Sequence, residues 1–204
     1  LIWTQDNATN LREEYTYDLA GNRKTLKNKL GAVWTYNYDA LGRLTEEVTP
    51  AVMVQTTADA SAVSRKLVTK IAYDVTGNVI SRTEGVLRDP AGTAADSASQ
   101  ARITLYAYDS VGRQIRTTQP GWYNKTTGRY QQASDGTTNT LQVTTEVTYD
   151  ALGNAARNRI KINNNGTEAT DLVDSYKVYD AAGRVRYEID ALGGVIENGY
   201  DALG

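Results

Sequence analysis

The nine residues Tyr36 to Leu44, Y-N-Y-D-A-L-G-R-L, constrain this chain more than any other stretch, because they recur with drift from one end to the other. Tyr36 and Tyr38 lie two apart, which puts both rings on one face of a strand. A flat aromatic packs well on a half-buried pleated surface. Asp39 suits the first position of a type I turn, where its carboxylate accepts bonds from the backbone N–H groups ahead of it. Gly42, three residues later, supplies a positive φ without a Cβ clash. A type I turn closed by a left-handed Gly is the common three-residue hairpin loop with a bulge. After Arg43, Leu44 and Val48 stand apolar among mostly polar neighbours. Each copy is predicted to be one β-hairpin corner: strand, tight turn, strand.

The copies are Tyr17, Asp18, Gly21 and Asn22; Tyr38, Asp39, Gly42 and Arg43; Tyr73, Asp74, Gly77 and Asn78; Tyr108, Asp109, Gly112 and Arg113; Tyr149, Asp150, Gly153 and Asn154; and Tyr179, Asp180, Gly183 and Arg184. A last one, Tyr200, Asp201 and Gly204, stops in its own turn. The motifs fall at about 15–22, 36–43, 71–78, 106–113, 147–154, 177–184 and 198–204. The first pair and the last pair are each 21 residues apart. Asn28 to Gly31 and Asp190 to Gly193 repeat the turn spacing midway, so an undisturbed repeat holds two turns at opposite ends.

Between the other motifs the spacers are longer. One runs through Thr49-Pro50 and an Ala/Thr/Ser-rich segment, 55–64. A second, Arg88 to Ala101, reads as an exposed loop. The longest, Gln119 to Gln142, carries Trp122, Tyr123 and Tyr130. Asn163 to Gly166 is a hairpin signal after the alternation of Ile160 and Ile162. No segment holds a sustained 3.6-residue apolar period. The expected fold is all-β: tandem antiparallel hairpins stacked into a curved strip with long variable loops, as one repeat array over residues 1–204 with a real core.

Composition removes several chemistries. There is no Cys and no His, which excludes disulfides, thiolate nucleophiles, Ser-His-Asp hydrolysis and cysteine-rich zinc sites. Net charge is −2 with both signs interspersed, so nothing marks a nucleic-acid partner. The longest apolar runs are far short of the roughly 20 residues of a membrane helix. No cofactor is expected. No export leader is visible at Leu1, and the missing initiator Met suggests a piece of a longer chain. The last motif ends without a returning strand, which predicts an open edge near Tyr200 and either self-association through it or its completion by another segment of the parent chain.

Tyr-Asp-x-x-Gly-[Arg/Asn] near a period of 21 resembles the YD repeats of the RHS superfamily, over about Glu14 to Gly204. The resemblance implies strips of hairpins wound in a spiral and closing into a hollow shell. In bacterial Rhs toxins and the B and C components of Tc toxins, such a shell encloses a C-terminal toxic domain; in teneurins a similar barrel serves adhesion. It further implies tyrosines stacked between successive hairpins as a ladder. The family's self-cleaving segment is not recognisable. Asp89 to Gly92 resembles only its start.

Two readings stand for each repeated residue type. The motif tyrosines are wall residues or a stacking platform for sugars or bases. The motif aspartates are turn formers, or else paired catalytic carboxylates or calcium ligands, and the scattered Asp6, Asp59, Asp96, Asp135 and Asp171 read as solvated loop charge. Asn7, Asn124 and Asn165 fit a glycosylation pattern that chance also supplies. Trp122, Tyr123 and Tyr130 form the candidate contact patch. The expected function is a non-enzymatic shell segment, secreted or at the cell surface as part of a larger protein. Its expected partners are the rest of the parent chain or its toxin cargo. The alternative is an adhesion or carbohydrate-binding module, with glycans or a receptor as partner.

Overall fold

The computed structural model describes residues 2–5, 11–55, 61–98, 101–120, 122–124, 129–131, 140–164, 172–201 and 203–204. Side chains of 122–124, 129–131, 140–142 and 163–164 are not described. The chain is all-β, with no helix among the described residues. It divides into two compact units, Leu1–Ile103 and Thr104–Gly204.

The first unit holds β1 (Ile2–Gln5), β2 (Arg12–Tyr17), β3 (Arg23–Lys27), β4 (Val33–Tyr38), β5 (Leu44–Val54), β6 (Val63–Tyr73) and β7 (Val79–Arg88). Each pairs antiparallel with its sequence neighbour. The second opens with β8 (Arg102–Tyr108), followed by β9 (Gln114–Thr118), β10 (Trp122–Asn124), β11 (Arg129–Gln131) and β12 (Thr140–Tyr149). It continues with β13 (Ala155–Asn164), β14 (Leu172–Tyr179), β15 (Val185–Ile189) and β16 (Val195–Glu197). Its order is β8-β9-β12-β13-β14-β15-β16, with β10 beside β12 and β11 beside β10. The insertion that carries Trp122, Tyr123 and Tyr130 therefore adds a small hairpin, with Tyr123 opposite Tyr130.

Every full motif sits at the same irregularity. Register shifts between Thr16 and Tyr17, Asn37 and Tyr38, Ala72 and Tyr73, Ala107 and Tyr108, Thr148 and Tyr149, and Val178 and Tyr179. This is the bulge that a type I turn closed by left-handed glycine imposes.

Two spacers differ from their sequence reading. Thr49-Pro50 does not leave the sheet: β5 runs through it, with a bulge between Val48 and Ala51. Proline has no N–H to give the ladder, so it lies at an irregularity. The Thr49 hydroxyl accepts the Leu67 amide at 3.0 Å, supplying a partner at the gap. The segment after Arg88 is not a free loop. Asp89 to Gly92 makes a turn of the motif's kind, Ser97 bridges Leu87 through two backbone bonds of 2.8 Å, and Ala101 is buried.

That return makes the core, which is smaller than the length of the chain suggests. Val48, Val68 and Val86 are direct cross-strand partners on β5, β6 and β7, and with Ala101 they form the buried cluster. Val68 is fully buried. The remaining buried side chains among the described residues are Tyr36, Leu87 and Thr144. A sheet with few elements over its faces leaves most side chains half-exposed.

Candidate functional site

The repeated site is the turn and its junction with the next turn. At Asp39 the local chemistry closes on itself. The Asp39 amide donates to the Arg43 carbonyl and the Gly42 amide to the Asp39 carbonyl, both at 3.0 Å. One carboxylate oxygen accepts the Leu41 and Arg43 amides at 2.9 and 3.0 Å; the other accepts Arg43 Nε at 2.7 Å. Gly42 takes φ 76°, a conformation that a Cβ would strain. The Arg43 amide, opposed by partial loss of water and aided by the Arg43 guanidinium, holds the Asp39 carboxyl below the usual range.

Asp18, Asp74, Asp109, Asp150 and Asp180 repeat this pattern, and Asp201 accepts the Leu203 amide at 2.9 Å. At Asp74 the Thr76 hydroxyl adds a bond and the carboxyl falls to about 2. Each motif carboxylate is thus engaged by its own turn. That is the arrangement of a turn former, and it leaves no two of them paired as acid and base.

The position after the glycine divides the turns into two kinds. Where it is Asn, at Asn22, Asn78 and Asn154, the side-chain amide donates to the turn's own Asp at 3.0 Å. Where it is Arg, at Arg43, Arg113 and Arg184, Nε donates to that Asp at 2.7–2.8 Å, and the guanidinium reaches the following motif as well. Arg43 lies over the Tyr73 ring at 4.5 Å, Arg113 over Tyr149 at 4.4 Å, and Arg184 over Tyr200 at 4.4 Å. In the Asn turn at Asn22 the next residue substitutes: Arg23 lies over Tyr36 at 4.5 Å. What covers these rings is a guanidinium, where the resemblance implied a ladder of stacked tyrosines. The contact is electrostatic, cation against ring face.

A second contact is more regular. Tyr38 donates its phenol to the Arg23 carbonyl at 3.0 Å, Tyr73 to Leu44 at 2.8 Å, and Tyr149 to Gln114 at 3.0 Å. Tyr179 donates to Ala155 at 3.0 Å and Tyr200 to Val185 at 2.7 Å. Each acceptor is the second residue after the preceding motif's glycine. The sequence separations are 15, 29, 35, 24 and 15 residues, so the contact is kept whatever the spacer length. Tyr17, in the first motif, is 43% exposed.

Two clefts of about 280 Å³ each open at Arg-type junctions. One lies by Arg113 and Tyr149 and the other by Arg184 and Tyr200. Their acids are already engaged: Glu146 pairs with Lys161 at 2.8 Å and Arg116 at 3.3 Å, and Asp180 pairs with Arg184.

In the first unit a charged group joins distant spacers. Arg88 holds Glu46 through both terminal nitrogens at 3.0 and 2.9 Å, and holds Asp96 at 2.8 Å; Lys70 adds a bond to Asp96 at 3.3 Å. Asp96 is therefore not solvated loop charge. Arg88, against loss of water and with help from Lys70, brings its carboxyl down to about 2. Asp6, Asp59, Asp135 and Asp171 lie outside the described residues, as do Asn7 and Asn165 and the side chains of Asn124, Trp122, Tyr123 and Tyr130.

Residues 17–51, the first two motifs with the β3–β4 turn between them, match the family model described as RHS Repeat. The match covers 35 of the chain's 204 residues. Among solved structures, the chain is similar to TcdB2-TccC3-TEV, at 13% identity over 98% of this chain and 14% of that one, with a TM-score of 0.29. It is also similar to TcdB2-TccC3 without its hypervariable C-terminal region, at 17% identity over 90% and 11%, with a TM-score of 0.29. The TcdB2-TccC3-Cdc42 structure gives 17% identity over 90% and 11%, with a TM-score of 0.28. The chain spans 11–14% of the length of these structures. No curated protein matches it.

The missed element is what the residue after the glycine does. Its place in the motif as Arg or Asn stands out in the sequence, whereas the reach of Arg43, Arg113 and Arg184 to the ring of the following motif does not. A signal was present: in all six full motifs that position is Arg or Asn.

Proposed function

We propose that residues 1–204 are one repeat array, a non-enzymatic stretch of an RHS wall that encloses or presents a toxic or effector domain of a larger exported protein. The observation that carries this is the phenol-to-carbonyl contact, made five times at constant positions across spacers of unequal length. Such a contact joins each hairpin to the one before it and lets a strip grow without end effects at each insertion. The engagement of each motif carboxylate by its own turn supports a structural role over a catalytic one. The parent chain supplies the partner, and the action is steric: cargo is kept from bulk water and from proteases by a continuous sheet.

The test is limited proteolysis and electron microscopy of the full-length parent. A protected C-terminal domain inside a closed density is expected, with protection lost when Tyr73 and Tyr149 are both changed to Ala. A C-terminal domain cleaved equally fast in the native parent and in the double variant sinks the reading.

A further inference from the structure

The turn and its joint recur along the chain, but one joint carries charge that neither requires. Arg116 and Arg157 each stand four residues after a motif glycine, Gly112 and Gly153. In the other full motifs that place holds Thr25, Glu46, Ser81 and Tyr187, so the hairpin does not call for a cation there. Arg116 is opposite Glu146 across β9 and β12, and Arg157 is opposite Thr148 across β12 and β13. Glu146 and Thr148 are two apart on β12, so both arginines lie on one face of the sheet.

The two arginines meet at a gap. Pairing of β9 with β12 ends at Arg116 and Glu146, and beyond it the strands are joined again by the Tyr149 phenol on the Gln114 carbonyl at 3.0 Å. The cleft of about 280 Å³ beside Arg113 and Tyr149 lies at this gap, with Ile115 and Val147 as its apolar walls.

The charges of the cleft are unequally engaged. Asp109 holds Arg113, which also lies over Tyr149. Glu146 is bonded by Lys161 at 2.8 Å and by Arg116 at the longer 3.3 Å, so it keeps a cation when Arg116 turns to another partner. Among the described residues Arg157 pairs with no carboxylate. Asp174 on β14 feels its charge but is taken by Arg159 through two bonds of 2.7 Å. Arg157 Nη2 donates to the Thr148 hydroxyl at 3.2 Å, while Nε is withdrawn from water and has no acceptor. It is the one such side-chain atom among the described residues. A buried donor of this kind calls for a partner that the chain itself does not supply.

We propose that the cleft binds a carboxylate on a short apolar stem, held by Arg157 with Arg116 as the second arm. The guanidinium fork matches the two oxygens of a carboxylate. The lining carries three guanidiniums against two carboxylates, an excess that one carboxylate neutralises and a doubly charged phosphate overshoots. Ile115 and Val147 take the stem, in keeping with a small-molecule site of apolar walls and a few placed polar groups. In the first unit the corresponding cross-strand pairs are Glu46 with Lys70 and Ala72 with Ser81. Arg88 closes on Glu46 there, and Ser81 stands where Arg157 would be, so the fork is missing. The cleft is open, and the same chemistry fits a free short-chain acid or a glutamate side chain on a peptide. Neither depends on whether the strip encloses a cargo.

Nuclear magnetic resonance of the isotope-labelled chain tests this through the Arg157 Nε–H and the backbone amides of Ile115, Val147 and Thr148. Sodium butyrate, a blocked alanine pentapeptide with one central glutamate, inorganic phosphate and sodium chloride are added at matched ionic strength. The carboxylate shifts should saturate in the native chain. Arg157→Gln should need about tenfold more acid for the same shift at Val147, the loss of one hydrogen-bonded charge. Lys177→Gln removes the same charge from the opposite face of β14 and should bind as the native chain does. If Arg157→Gln melts early, Arg116→Gln carries the comparison with a smaller shift. Saturation by the peptide at lower concentration than butyrate names the side chain as the source, and the reverse order names the free acid. Shifts that follow ionic strength alone, as with sodium chloride, overturn the proposal. So does equal binding by Arg157→Gln, or an equal loss in Lys177→Gln. Saturation by phosphate with none by either carboxylate overturns it in favour of a phosphate site.

Discussion

In Leu1–Ile103 the long strands β5 and β6 meet at Val48 and Val68, and the spacer after Arg88 turns back so that Ala101 covers the valines. In Thr104–Gly204 the long strands β12 and β13 pair in the same way, Val143 with Ile162 and Val147 with Asn158, but those side chains stay half-buried or exposed. Thr144 is the one buried side chain described there. The backbone bonds of the motif turns lie between 2.9 and 3.2 Å in both units, so the turns do not account for the difference. The spacers do. A YD motif specifies a corner and a joint, and a core forms only where an inserted segment comes back over the sheet.

The largest test of this comparison is a matched truncation. Val68→Ala should cost roughly 2–3 kcal/mol in the first unit, because it empties a fully enclosed site. Val147→Ala in the second should cost under about 1 kcal/mol, since its side chain keeps access to water. Urea denaturation followed by hydrogen exchange in each unit measures both. Equal losses would break the comparison.

Acid comes next. Asp96 titrates at about 2 when folded and near 3.8 when free. A lowered folded pKa means that its contribution is complete above about pH 4 and is lost as pH falls towards 2. Its partly exposed pairs with Arg88 and Lys70 are worth on the order of 1 kcal/mol. Thermal melts of the native chain should therefore fall between pH 4 and pH 2 more steeply than those of Asp96→Asn, with the difference confined to signals from the first unit.

Glycine should erase the contrast. Gly42 (φ 76°) and Gly153 (φ 91°) hold the same conformation in the two units. Gly42→Ala and Gly153→Ala should each cost about 1 kcal/mol or more. The added methyl also meets Arg113 Nη1 at 3.3 Å in the second case, a flexible end that can move. Chemical denaturation showing a loss in only one unit would mean that the corners are not equivalent.

The smallest effect belongs to the joint. Tyr73→Phe and Tyr149→Phe keep the ring under its arginine and remove one phenol bond, costing about 0.5–1.5 kcal/mol each. The two costs should agree although the spacers they bridge differ in length.

The corner was legible because its causes are local. Asp39 and Gly42 act within five residues, and spacing alone predicts their turn and its bulge. The joint was not legible, because Arg43 and Tyr73 meet 30 residues apart and nothing in either neighbourhood names the other. Thr49-Pro50 misled in the usual way for proline, which signals a break but is accepted at a bulge. Asp96 and Ala101 sit in a small-residue stretch with the composition of an exposed loop. Their burial comes from a return path that periodicity cannot see.

The phenol-to-carbonyl joint also has a mechanical consequence. Pulled across its strands, an array whose hairpins are joined only to their neighbours peels one corner at a time. Each rupture releases the slack stored in a single spacer. The extension steps are then set by the distances from Tyr38 to Arg23, Tyr73 to Leu44, Tyr149 to Gln114 and so on, and a force trace reads the spacer lengths in order.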